Sequence, residues 1–208
     1  MIITLDGRPL PAASPPAATL QGLIHGVRET HAGGRLIVSV RVNGQELLGP
    51  ELGQALAGPI SPADRVDLVS AERQDIVADA LRELAAQMSQ AAAVSTQVGE
   101  LLAAGRGPAA IERFGDFLRF WQTCRQAIAE CGQVLGRDVT PERIGGRTID
   151  EHLRELAGRL RELRDALEAR DLVLLGDLVR YELPPLCDGW HGLLTDLAEA
   201  IDASHRGA

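Results

Sequence analysis

Lysine is missing from this chain of 208 residues, whose 21 basic residues are all arginine. Schiff-base chemistry, a lysine general base and the lysine of a phosphate-binding P-loop are therefore excluded. The 29 acidic residues outnumber the basic ones and give a formal charge of −8. Most of this charge falls on residues 71–208, which carry 16 arginines against 23 acids. Because such a surface repels phosphate groups on average, we expect no nucleic-acid partner.

Cysteines and long apolar runs are also scarce. Cys124, Cys131 and Cys187 are odd in number and have no framework spacing, which is typical of free thiols in a reducing compartment. Apolar runs such as Leu172 to Leu175 are far shorter than the roughly 20 residues that span a bilayer. The first residues contain no basic segment followed by an apolar one. We therefore expect a cytoplasmic protein with no membrane partner.

The motifs of common enzymes are absent as well, because the sequence contains no nucleophile elbow, dinucleotide fingerprint or metalloprotease helix. We expect no cofactor, no metal ion and no catalytic residue.

One pair of residues has a spacing that suits a metal-binding pair or a thiolate–imidazolium pair. Cys187 and His191 are four residues apart, which places a thiol and an imidazole on one face of a helix. An enzyme that uses this pair is one hypothesis, and two ordinary packed side chains are the alternative.

Residues 1–70 have the patterns of a small sheet with one helix. Asp6-Gly7 and Asn43-Gly44 suit the positive φ angles of tight hairpins. Thr19 can cap a short amphipathic helix that ends at Gly33-Gly34.

A strand is predicted before the second hairpin, where Leu36, Val38, Val40 and Val42 alternate with three other residues and form one apolar face. A stretch rich in proline and glycine, from Pro50 to Pro62, predicts a loop. A last strand is predicted over 65–70, because Val66 and Leu68 alternate with Asp67 and Val69.

The order strand, strand, helix, strand, strand, loop, strand resembles the ubiquitin-like β-grasp fold. The segments MIITLDGRPL, VSVRVNGQEL and DRVDLVSAER are similar to small bacterial sulfur-carrier proteins of thiamine and molybdopterin synthesis. The resemblance covers about residues 1–70 and implies a β-grasp domain there. In that family the last strand leads to a free Gly-Gly that is activated as a thiocarboxylate, whereas here Ser70 is followed by Ala71 and Glu72. The sulfur-carrier activity is therefore not implied.

Residues 71–208 change to helical periodicity. Apolar stripes predict one long helix from about Glu72 and a second over about 109–135 that Gly136 ends. Thr148 and Glu151 form a capping box for a third helix with leucines at heptad spacing. A fourth helical stretch, over about 172–203, is interrupted by Pro184-Pro185. The predicted fold class is thus α+β, with a β-grasp domain over 1–70 and an antiparallel bundle of about four long helices over 71–208. The residues of the first stripe are Ile76, Ala80, Leu84, Met88, Ala91, Val94, Val98 and Leu102.

All aromatic residues lie in the helical part, where we expect most of them to pack in the core. Four of them are candidate partner-binding residues: Phe120, Trp121, Tyr181 and Trp190. The alternative is a wide core face or a contact with the N-terminal domain. Phe120 lies about 70° from the centre of the apolar stripe of its helix, which favours partial exposure. We expect a non-catalytic module for protein–protein interaction or an adaptor, with a protein partner. A secretion or flagellar export chaperone is the alternative, since those proteins are small acidic helical bundles. The heptad leucines from Leu153 to Leu167 form either a homodimer seam or an intramolecular core.

Overall fold

The computed structural model describes residues 1–11 and 18–206, without the side chains of 205 and 206. The chain divides into two compact units, Met1–Ile76 and a second unit from Val77 onward. The first unit contains a small sheet with two helices, and the second is mainly helical. The predicted α+β class is confirmed at this level.

The sheet of the first unit has five short strands: β1 (Ile2–Leu5), β2 (Arg8–Pro9), β3 (Leu36–Val42), β4 (Gln45–Glu46) and β5 (Arg65–Ala71). Their order across the sheet is β2-β1-β5-β3-β4, with β5 at the centre; β1 and β5 pair in parallel and the other pairs are antiparallel. Both predicted hairpins form, since Asp6 and Gly7 have φ angles of 52° and 76°, and Asn43 and Gly44 have φ angles of 53° and 85°.

Two helices accompany the sheet. The first, α1 (Leu20–His31), begins where it was predicted, because the side chain of Thr19 accepts a hydrogen bond from the backbone N–H of Gly22 at 3.2 Å. The second, α2 (Gly49–Ala57), was predicted as a loop, and that prediction is wrong. Pro50 sits in the first helical turn, where its missing N–H costs nothing, and Leu52 and Leu56 are half-buried against the core.

The apolar face predicted for β3 is wrong in its first half. A β-bulge between Ile37 and Ser39 places two residues of β3 opposite one residue of β5. As a result Ile37, Val40 and Val42 pack against the core, whereas Val38 is exposed. Because a one-residue shift exchanges the two faces of a strand, a regular alternation cannot predict where a bulge occurs.

The second unit contains four long helical stretches and a small hairpin. Its helices are α3 (Arg73–Ala103, which begins within the first unit), α4 (Gly107–Leu135), α5 (Ile149–Glu168), α6 (Leu172–Asp177) and α7 (Leu183–Arg206). A π-helical turn, Leu178–Glu182, joins α6 to α7 without a break. The two-stranded hairpin β6 (Arg143–Ile144) and β7 (Arg147–Thr148) precedes α5.

One apolar core is shared by α3 to α7. On α5 the heptad positions Ile149, Leu156 and Leu163 are fully buried, and the intervening leucines are partly buried against the same core. The heptad leucines are therefore part of an intramolecular core, and their burial does not support the prediction that they form a homodimer seam.

The predicted apolar stripe of α3 is wrong in its first turns, because Ala80 is exposed and Val77 and Leu81 are buried instead.

None of the helices in the described part of the chain combines the length and the apolar character that crossing a bilayer requires.

Candidate functional site

The two tryptophans that were candidate partner-binding residues lie in the core of the second unit. Trp121 on α4 and Trp190 on α7 are 0% and 1% exposed. Their rings meet edge to face, with centroids 5.3 Å apart and an interplanar angle of 76°, which is a favourable geometry for aromatic pairs. The partner-binding role predicted for these two residues is therefore corrected, because both side chains pack α4 against α7 and neither reaches the surface.

Phe120 lies at the edge of this aromatic cluster and is half-buried, as its position off the apolar stripe predicted. Its ring contacts Trp121 edge to face at a centroid distance of 5.7 Å. Its other side lines a groove of about 210 Å³ between α3 and α4, together with Ala91, Val94 and Phe117. The rim of the groove carries Gln87, Gln90 and Asp116. This groove has room for about one bulky side chain of a partner.

The π-helical turn determines where Tyr181 points. Pro184 and Pro185 have no N–H, so two carbonyl oxygens of the preceding turn lose the donors that an α-helix supplies. The chain responds with a wider turn, in which the N–H of Leu183 donates to the carbonyl oxygen of Leu178, five residues earlier. Tyr181 lies on the outer side of this turn and is 62% exposed. Of the four aromatic candidates, Tyr181 is the one that presents its ring to solvent.

The neighbouring helix α6 adds three exposed apolar side chains. Val173 is 77% exposed, and Leu172 and Leu174 on either side are about half exposed. We call these three residues together with Tyr181 the α6 strip. On the inner side of the same segment, Leu175 and Val179 are fully buried.

Sequence reasoning missed the α6 strip, because the run Leu172 to Leu175 was considered only as a membrane segment. The sequence nevertheless contains a pattern that indicates an exposed apolar residue in this run. Consecutive residues of an α-helix are 100° apart, so four apolar residues in a row cannot all face one core. At least one of them must point to solvent or to a partner.

Charges of both signs flank the α6 strip. Arg170 and Asp171 precede it, Asp177 lies in its middle, and Arg180 and Glu182 surround Tyr181. The carboxylate of Glu182 pairs with Arg159 of α5 at 3.0 Å. The strip is therefore an apolar surface with a mixed polar rim, which is the usual make-up of a protein interface.

The candidate pair Cys187 and His191 lacks the properties of a nucleophilic site. Cys187 is completely buried, and this burial raises the pKa of its thiol to about 12. His191 uses its Nδ1 to donate a hydrogen bond to the carbonyl oxygen of Ala85 on α3, at 2.9 Å. A catalytic thiolate needs a lowered pKa and access to substrate. The thiol of Cys187 has a raised pKa and is closed off from solvent, so it meets neither requirement.

The first unit contains an apolar hollow of about 340 Å³ beside α1, α2 and the β3–β4 hairpin. Asn43 and Asp64 at its mouth are hydrogen-bonded to each other at 3.0 Å. This hydrogen bond and the backbone N–H of Ser61 lower the pKa of the Asp64 carboxyl. The apolar residues that line the hollow include Leu20, Val42, Leu47, Ile60 and Val66.

Within residues 1–11 and 18–206, no group of three His, Cys, Asp or Glu side chains is close enough to hold a metal ion.

Comparison with known proteins places the second unit in a family. Residues 79–202 match the family model described as Domain of unknown function (DUF8042), and this match covers more than half of the chain. Searches of curated proteins and of solved structures found no match. The matched residues include the α6 strip, the groove beside Phe120 and the buried tryptophan pair. The chain therefore belongs to the DUF8042 family.

Proposed function

We propose that this protein is a non-catalytic protein-interaction module and that its second unit binds a partner through the α6 strip. The observation that carries this proposal is the exposure of Val173 and Tyr181 on a helix whose inner residues, Leu175 and Val179, complete the core. The core of the unit does not need these outer side chains. Contiguous exposed apolar side chains with a polar rim are typical of interaction surfaces.

The energy available from this surface suits a partner rather than a small ligand. Full burial of one Val, Leu or similar side chain contributes about 1.5–3 kcal/mol. Because the four side chains of the strip are about half to three-quarters exposed in the free protein, their burial contributes less than four times that value, which is of the same order as the roughly 4–15 kcal/mol that association costs. Because the strip is convex and lies along a helix, a matching groove or helix on a partner buries it better than a small molecule does.

The finer description of the two units belongs to the same proposal. A β-grasp domain in the first unit is supported by the order of its elements and by the packing of α1 against one face of the five-stranded sheet. A bundle of four helical stretches in the second unit is supported by the single core that α3 to α7 share. The three free, buried thiols support a cytoplasmic location. Two units with separate cores are also what an adaptor requires.

Site-specific photo-crosslinking in the native host tests the binding surface. The photoreactive residue p-benzoylphenylalanine replaces Val173 in one variant and Ile111 of α4 in the matched control. Ile111 is 53% exposed and lies outside the strip. We expect a stoichiometric adduct from position 173 and none from position 111. Equal, low-yield adducts at both positions would contradict the proposal.

An export chaperone is a second candidate, and the groove beside Phe120 is the observation that favours it. A chaperone of this kind would insert one side chain of a helical client between α3 and α4. A photo-crosslinker in place of Gln90, on the rim of the groove, separates the two functions. A single client crosslinked at position 90 and not at position 173 supports the chaperone, whereas the reverse result supports the interaction module.

A further inference from the structure

We infer that the apolar hollow of the first unit binds a small amphiphilic cation, a primary amine on an apolar body, whose ammonium group pairs with Asp64. This inference goes beyond the proposed function, because the hollow lies in the first unit and the α6 strip lies in the second. It depends on the lining of the hollow, on the position of the Asp64 carboxylate at its mouth and on the charges around that carboxylate.

The hollow suits an apolar body of moderate size. Its volume of about 340 Å³ has room for about ten non-hydrogen atoms, since a water-sized group takes about 30 Å³. The walls come from two helices and two strands, with Leu20 of α1, Ala55 of α2, Val42 of β3 and Val66 of β5. Leu20 and Val66 are buried in the core of the unit, so the fold holds these walls in place. Removal of an apolar body from water against them drives binding.

The carboxylate of Asp64 is held in one position at the mouth of the hollow. Its Oδ1 accepts a hydrogen bond from the side-chain amide of Asn43 at 3.0 Å, and its Oδ2 accepts one from the backbone N–H of Ser61 at 2.7 Å. Asn43 is fixed in turn, because its own Oδ1 accepts from the backbone N–H of Arg65 at 2.9 Å. An ionised carboxylate has about four acceptor positions, so about two remain for a ligand. Because the carboxylate is already ordered, a ligand does not have to order it on binding.

The charge of Asp64 has no ion-pair partner among the described residues. Its two hydrogen-bond donors are uncharged, and they lower the pKa of the carboxyl, so it is ionised at neutral pH. The neighbouring Arg65 pairs with Asp67 instead, at 3.0 Å. The amino group of Met1 also lowers the pKa of Asp64, as the weakest contribution, but it donates to the carbonyl oxygen of Pro62. The ammonium group of a ligand would supply the ion pair that Asp64 lacks.

The groove beside Phe120 also combines apolar walls with a carboxylate, but its charges differ. Asp116 on its rim pairs with Arg119, and it lies 3.7 Å from the guanidinium of Arg113. A cationic ligand would have to displace these arginines there, whereas it meets no such competitor at Asp64. The formal charge of −8 attracts cations to the whole chain and does not distinguish the two places. The ligand should therefore prefer the hollow.

Titration of the full chain with phenethylamine at neutral pH, followed by NMR, tests the inference. The neutral control is phenethyl alcohol, which has the same apolar body and a hydroxyl group in place of the ammonium group. We expect both probes to shift the methyl resonances of Val42 and Leu47, which line the hollow. The amine should bind at least about threefold more tightly than the alcohol, because it alone forms the ion pair.

A change of charge tests the role of Asp64. Asp64→Asn should abolish the preference for the amine and leave the affinity for the alcohol nearly unchanged. Glu29→Gln is the matched control, since it removes one exposed carboxylate of α1 that does not line the hollow, and it should keep the preference.

A change of volume tests the hollow itself. Ala55→Leu places a larger side chain among the lining residues and should weaken the binding of both probes by a similar factor. Ala57→Leu, at an exposed position of the same helix, should bind both probes as the wild type does. Circular dichroism and thermal unfolding of each variant show whether it is folded.

Equal affinity of the wild-type chain for the amine and the alcohol would overturn the inference, and this comparison needs no variant. Three further results would overturn it: no binding of either probe up to its solubility limit, shifts at Val94 beside Phe120 instead of at Val42, and unchanged binding in a folded Ala55→Leu variant. A preference for the amine that survives in a folded Asp64→Asn variant would also contradict it. None of these results involves the α6 strip, so the photo-crosslinking test of the proposed function stays separate.

Discussion

The carboxylate of Asp6 accepts two hydrogen bonds from Ser70, one from its backbone N–H and one from its hydroxyl group, each 2.7 Å long. Asp6 lies in the first hairpin turn and Ser70 lies near the end of β5, 64 residues later. Arg35 completes the cluster, since its guanidinium donates to the hydroxyl and carbonyl oxygens of Ser70 at 2.8 Å. Asp6 of the first hairpin turn thus also holds the end of β5, the central strand, in place through these hydrogen bonds.

The pKa of the Asp6 carboxyl should show whether these hydrogen bonds form in solution. The two hydrogen bonds from Ser70, first the one from the backbone, lower the pKa of the Asp6 carboxyl below its ordinary value of 3.8. Because the pKa is lowered in the folded state, Asp6 stabilises the first unit above pH 3.8, and this contribution is lost as the pH falls through the folded-state value. NMR titration of the Asp6 carboxyl carbon measures the shift. Ser70→Ala should move the pKa upward, whereas Ser39→Ala, whose hydroxyl donates to Glu46, should not.

Trp190 and Tyr181 should differ sharply in their contribution to stability. Trp190→Ala removes a buried ring that packs against Trp121 and should lower the free energy of unfolding of the second unit by about 3–5 kcal/mol. Tyr181→Ala removes an exposed ring and should change it by less than about 0.5 kcal/mol. Urea unfolding followed by circular dichroism measures both. A large loss from Tyr181→Ala would show that the α6 strip serves the fold rather than a partner.

Alkylation of the native protein should be slow at all three cysteines. Burial raises the pKa of Cys124 and Cys187 to about 12 and that of Cys131 to about 11, so thiolate is scarce at neutral pH. Iodoacetamide labelling followed by mass spectrometry should give little modification until urea unfolds the second unit. Selective labelling of native Cys187 would favour the enzyme hypothesis instead.

The start of α5 should depend on its capping box. The hydroxyl oxygen of Thr148 accepts from the backbone N–H of Glu151, and the Glu151 carboxylate accepts from the backbone N–H of Thr148. Thr148→Ala should lower the free energy of unfolding of the second unit by about 1 kcal/mol. Thr148→Ser keeps the acceptor and should stay close to wild type. Equal losses in both variants would mean that the methyl group, rather than the cap, matters here.

Features that depend on neighbouring residues could be predicted from the sequence. The turns at Asp6-Gly7 and Asn43-Gly44, the cap at Thr19 and the capping box at Thr148 all form where the sequence places them. The sequence placed Trp121 in an apolar stripe and most aromatic residues in the core, but it did not show that Trp121 and Trp190 pack against each other, since periodicity locates a helix face without showing which elements cover it. Tyr181 remained a candidate because the π-helical turn points it outward.

By itself the sequence determined the hairpins, the caps, most of the helix limits and the absence of lysine chemistry, because these depend on backbone preferences and side chains a few residues apart. Only the tertiary structure decided that β3 bulges at Val38, that α2 is a helix, and that Val173 and Tyr181 face solvent. These features depend on contacts between distant segments, such as the pairing of β3 with β5 and the packing of α6 on its core. The exposure of an apolar side chain is set by what covers it, and no local pattern contains that information.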